Sequence, residues 1–139
     1  MKKICTDYLF GPNGNWIKDG ALILDDEGKI LSVIEDGTYD KSPFEYYPGI
    51  LVPGFINAHC HLELSHMKAK APTGTGLIPF LKTVVQQRDI SQEEILEAIQ
   101  KADEEMYTNG IVAVGDISNK TDTIKTKENS KIQYYTFIE

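Results

Sequence analysis

Two histidines one residue apart, His59 and His61, form the pair of side chains best suited to chemistry. Side chains alternate along an extended strand, so residues two apart face the same way. On a strand, His59 and His61 point together and Cys60 points away. Two converging imidazoles can hold one divalent metal, because neutral imidazole suits zinc and iron. Glu63 continues the alternation if the strand persists that far. His66 follows in the next loop and is close enough in sequence to face the same space. A bland reading stands beside this one: an isolated H-x-H is often a partly buried, hydrogen-bonded pair with no ligand. Cys60, sent to the opposite face, reads as a small buried residue rather than a thiolate ligand.

The elements around the pair are legible from pattern. Phe55-Ile56-Asn57-Ala58-His59-Cys60-His61 reads as a buried strand ending in polar groups. Residues 65–76 hold Lys68, Lys70, Pro72, Gly74 and Gly76 and read as a loop. Leu77, Phe80, Leu81, Val84 and Val85 recur at helical spacing, which predicts a helix over 77–88. A second helix starts at Ser91, an N-cap with Glu94 three residues later. Ile90 and Ile95 stand at the positions of a hydrophobic staple. Ile95, Ile99, Ala102 and Met106 form its apolar stripe, and Asn109-Gly110 is its stop. Ile111 to Ile117 is a nearly continuous apolar strand, of the kind buried in a parallel sheet. A polar stretch, 118–130, has room for a short helix, and Ile132 to Ile138 is a third strand. Strands alternating with helices predict an α/β fold with parallel strands.

Residues 1–50 have a different texture, of short β elements. Ala21-Leu22-Ile23-Leu24 and Ile30-Leu31-Ser32-Val33-Ile34 flank an acidic turn containing Gly28, a β-hairpin signal. Gly11-Pro12-Asn13-Gly14 marks another turn. Residues 35–49, rich in Asp, Gly, Pro and Tyr, read as a connector.

Composition bounds the partners. The chain has 139 residues, 41% hydrophobic and 25% charged, which describes a globular protein. Lys and Arg number 14 against 21 Asp and Glu, a net charge of −7. An acidic chain without a basic cluster is a poor binder of nucleic acid and of anionic membranes. No apolar run approaches the ~20 residues needed to span a bilayer. A secretory core of roughly 7–15 apolar residues is missing after Met1-Lys2-Lys3. Cys5 and Cys60 do not make a disulfide framework, so free thiols and a cytoplasmic location are expected.

The run Ile50-Leu51-Val52-Pro53-Gly54-Phe55-Ile56-Asn57-Ala58-His59-Cys60-His61-Leu62-Glu63 resembles the first barrel strand of the amidohydrolase superfamily. These metal-dependent hydrolases include cytosine deaminases, chlorohydrolases and aminodeoxyfutalosine deaminases. Their signature there is Pro-Gly, two apolar residues, Asn or Asp, any residue, then H-x-H. Asp19 to Leu24 and Gly28 to Ile34 are similar to the small β-sandwich flanking that barrel. Gly110 to Ser118 looks like its second strand and Ile132 to Glu139 like its third. The resemblance implies part of a small β-sandwich over 1–50. Over 51–139 it implies the first three βα units of a (β/α)8 TIM-type barrel.

It further implies that His59 and His61 are metal ligands and that one divalent ion is the cofactor: zinc first, with iron or manganese behind it. Glu63, His66 and Asp116 then stand as residues that support the ligands from behind or face the substrate, because such barrels react at the C-terminal ends of their strands. Each has a plainer alternative: Glu63 caps the loop, His66 is a solvated loop residue, and Asp116 is the N-cap of a following helix. The family's other ligands lie on later strands, including the Asp that acts as base, so no catalytic residue is assigned in this chain. A full barrel takes about 250 residues.

The chain is therefore expected to be the N-terminal piece of an amidohydrolase. Its parent would deaminate, or hydrolyse a related C–N bond of, a small cyclic or nucleoside-like substrate using metal-activated water. The piece alone is expected to be inactive, and to self-associate through exposed sheet edges. The competing reading is a small noncatalytic α/β module that binds a metal or a partner, with structural His59 and His61.

Overall fold

A computed structural model describes residues 1–139, which divide into two compact units, Met1–Pro53 and Gly54–Glu139.

The first unit is a five-stranded sheet. Strand β1 (Lys2–Phe10) pairs antiparallel with β2 (Trp16–Lys18) and with β3 (Ala21–Leu24). Strand β3 pairs antiparallel with β4 (Ile30–Ile34), which is the expected hairpin. Its turn is built as the residue types dictate. Asp25 Oδ1 accepts the Glu27 and Lys29 N–H groups, and Gly28 takes a φ of 87°. Leu9, Ile17 and Leu22 form the core of this unit.

The reading of 35–49 as a connector is corrected at its end. Strand β5 (Glu45–Leu51) pairs parallel with β1. Pro48 and Gly49 obscured it, since Pro cannot donate to a ladder. The structure accommodates them at a register shift, where Thr6 pairs with Tyr47 and Tyr8 with Ile50. Gly49, at a φ of 104°, donates its N–H to Asp7 and accepts from the Thr6 hydroxyl.

The second unit is α/β. Strands β6 (Phe55–Cys60), β7 (Ile111–Ser118) and β8 (Gln133–Ile138) make a parallel sheet in that order. Between β6 and β7 lie a 3₁₀ helix (Leu62–Met67), α1 (Leu77–Gln87) and α2 (Gln92–Thr108). Helix α3 (Ile124–Asn129) precedes β8. The Ser91 hydroxyl accepts the Glu94 N–H, a cap of about 1 kcal/mol. Ile95 and Ile99 are buried against Leu62, with Ile90, Ala102, Met106 and Tyr134 packed around them. The stripe and the staple both lie where periodicity put them.

Three expectations for this unit need correction. Strand β6 is not buried, since Phe55, Ile56 and His59 are exposed. The 65–76 loop begins as the end of the 3₁₀ helix. Helix α1 forms as expected but buries none of its side chains; Ile78 is 80% exposed.

Candidate metal centre

The His59 and His61 rings stand side by side, centroids 5.2 Å apart and planes at 62°. Neither imidazole hydrogen-bonds to the rest of the chain. Strand alternation puts the pair together but does not by itself fix which face they take, because β6 carries a bulge. Asn57 pairs with Val114 and Cys60 with Asp116, so three steps on β6 match two on β7. A bulge re-aims the side chains that follow it. The Asn57 side chain reaches Met106 on α2, and Cys60 shares the α2 side of the sheet with Asp116. The extra residue restores the phase, so His59 and His61 flank Cys60 on the opposite face.

Asn57, at the Asn-or-Asp position of the signature, and Gly115, which carried no role in the sequence, both lie at this bulge. Asn57 Oδ1 accepts the His59 N–H at 3.3 Å, beside the register shift. Gly115 lies against the Ala58 carbonyl, where a Cβ would stand 2.9 Å from the oxygen. An isolated Gly within an otherwise apolar strand is the sequence signal for such a close approach.

The other three candidates are each engaged by the chain's own backbone. Asp116 is fully buried on the Cys60 side. Its Oδ1 accepts the Leu62 N–H at 2.7 Å, and its Oδ2 meets the Lys127 ammonium at 2.6 Å and no other partner. It is not the N-cap of α3, whose cap residue is Thr123. Glu63 is not on a strand extension, because β6 ends at Cys60. Its buried Oε2 accepts the Asn119 and Lys120 N–H groups at 2.9 and 2.8 Å, tying down the loop after β7. His66 is not solvated. It is buried, and Nε2–H donates to the Arg88 carbonyl at 2.9 Å. That bond fixes the tautomer and leaves Nδ1 enclosed without a partner.

Burial pushes the Cys60 thiol up to about 11, with the Asp116 carboxylate adding to the effect. The thiol therefore stays protonated at neutral pH.

The donor set fits part of a metal site. Two neighbouring imidazoles with free ring nitrogens match two positions of a divalent ion, and no group of three or more His, Cys, Asp or Glu gathers anywhere in the chain. Catalytic zinc takes three protein ligands and a water.

A family model described as the amidohydrolase family matches residues 50–135. The chain belongs to the amidohydrolase family. An adenosine deaminase of Helicobacter pylori is 28% identical over 127 residues, covering 84% of this chain and 31% of its own length. Helicobacter pylori aminofutalosine deaminase, solved with methylthio-coformycin, superposes with a TM-score of 0.81 at 24% identity. The match covers 99% of this chain and 35% of that one. Atrazine chlorohydrolase from Arthrobacter aurescens TC1, complexed with zinc, gives 0.73 at 21%, again with 99% and 35% coverage. These two solved structures share the fold. The chain spans about a third of the length of the curated relatives it matches.

Proposed function

We propose that His59 and His61 are two ligands of a divalent metal, zinc first, in an amidohydrolase that releases ammonia from a small cyclic or nucleoside-like substrate. Residues 1–53 then belong to the small β-sandwich of that enzyme, and β6, β7 and β8 are its first three barrel strands. The observation that carries the reading is the pair of unbonded imidazoles, 5.2 Å apart, within the family-matched segment. The deaminase among the curated relatives and the zinc in the chlorohydrolase complex support it.

A divalent ion held there supplies an acidified water as nucleophile near neutral pH. The chain's own part is to present the two ring nitrogens on one face. The bulge aims His59, Asn57 holds the His59 backbone, and the turn after β6 sets His61. Cys60, kept neutral on the far face, leaves the two imidazoles as the donors. With two ligands alone, the chain lacks a complete centre and is inactive unless further donors join it.

Elemental analysis of the protein purified from its full reading frame tests the site. The expected result is one bound divalent ion per chain, lost in both His59→Ala and His61→Ala. Stoichiometric metal that survives both changes would remove the site. Ammonia release across a panel of amino-substituted purine nucleosides and bases tests the reaction class.

A further inference from the structure

We infer that Asp116, braced by Lys127, is a positioning residue for His61, acting from the far side of the sheet. The inference rests on the metal reading above and deepens it. His61 is the residue before the 3₁₀ helix, with φ −124° and ψ 76°. The peptide that joins it to Leu62 is held at both ends. Its carbonyl accepts the Leu64 N–H at 2.9 Å, and its N–H donates to Asp116 Oδ1 at 2.7 Å. The plane of that peptide sets ψ of His61, and so the direction from which the imidazole leaves the backbone.

The acceptor is itself immobilised. Asp116 is fully buried, and its second oxygen meets Lys127 at 2.6 Å. Lys127 reaches in from α3 with a side chain only 11% exposed, donates to the Thr136 hydroxyl at 2.9 Å and lies over the Tyr134 ring. A buried ion pair is a poor source of stability, because desolvation offsets most of its Coulomb attraction. What this pair does supply is a carboxylate oxygen fixed in direction, bonded to the backbone beside a ligand. Groups that orient metal ligands in this way change affinity by about 10–100-fold when removed.

Two double variants separate the acceptor from the charge. In D116N/K127M the ammonium is gone and an amide oxygen still accepts from Leu62. In D116L/K127M, of similar volume, nothing accepts. Co²⁺ is titrated into the protein expressed from its full reading frame, read by visible absorption and chelator competition, with near-UV circular dichroism to report folding. The expected result is a loss of less than about 10-fold in D116N/K127M, where the acceptor stays but its brace is gone, and of about 10–100-fold in a folded D116L/K127M. Wild-type affinity in D116L/K127M overturns the inference, as does an equal loss in both variants. D116A/K127M serves as a second form without the acceptor. If both such forms fail to fold while D116N/K127M folds, the acceptor is a requirement of the fold and the positioning role is overturned. His61→Ala keeps the two levels apart. If it binds Co²⁺ like the wild type, the metal reading fails; if it loses Co²⁺ while D116L/K127M does not, only the inference fails.

Discussion

Gly115 on β7 faces the Ala58 carbonyl on β6 so closely that a Cβ at position 115 would stand 2.9 Å from the oxygen. The contact sits beside the bulge that sets which face of the sheet His59 takes. The obstacle is backbone, which cannot rotate aside. Gly115→Ala is therefore expected to shift the bulge and cost about 1–3 kcal/mol, the usual range for overpacking. Urea denaturation measures the cost, and metal uptake should fall with it. Wild-type stability and uptake together would show that the bulge does not need the glycine.

Glu63 tests a different kind of dependence. Its carboxylate satisfies the Asn119 and Lys120 N–H groups after β7. Glu63→Ala leaves both without that acceptor, for a loss of about 1–3 kcal/mol for each one that stays buried. Glu63→Gln keeps one acceptor oxygen and should lose less. Thermal unfolding ranks the three proteins, and amide exchange at Asn119 and Lys120 should rise in Glu63→Ala. Unchanged exchange there would mean that the loop holds itself.

The Cys60 thiol gives a pH signature. Burial and the nearby Asp116 carboxylate raise it from an ordinary 9.0 to about 11. The neutral thiol is the form the fold favours. Its contribution is therefore complete below about pH 9 and is lost as pH climbs toward 11. Cys60→Ser, which does not titrate in that range, should flatten the decline in stability between those values. Alkylation of Cys60 by iodoacetamide should stay slow at pH 8, and rapid labelling at that pH would contradict the shift.

Outer strands β6 and β8 each pair only with β7. They carry Ile56 at 71% and Ile138 at 90% exposure, with Phe55, Tyr135 and Phe137 also exposed. Unpaired apolar edges recruit further strands. The isolated 139-residue chain is expected to sediment as concentration-dependent oligomers, and Ile138→Lys to reduce them. A monomer at all concentrations, unfolding cooperatively, would count against this.

Local signals translated well into local structure. Ser91, Glu94 and the stripe Ile95, Ile99, Ala102 and Met106 specify a capped, amphipathic helix, because caps and periodicity act within a few turns. The Asp25–Lys29 turn was legible for the same reason. Strand β5 was not, because its pairing with β1 rests on residues some 40 positions away that absorb Pro48 at a register shift. The exposure of β6 and α1 was equally out of reach, since an apolar run reports what a segment can bury and not whether anything covers it.

At the site, residue types and spacing determined that two imidazoles sit two positions apart near the end of an apolar strand, with Cys60 between them on the other face. Only the tertiary structure decided which face they take, since β6 carries a bulge between Asn57 and Cys60, beside a close approach of Gly115 from another strand. It also decided the work of the three acids and bases nearby. Glu63, His66 and Asp116 each carry a group able to touch a ligand, and each is turned into the protein to satisfy a backbone N–H or carbonyl. A buried backbone group without a partner costs more than a solvated side chain gains, so those pairings were set by which elements meet, and a linear sequence does not display that.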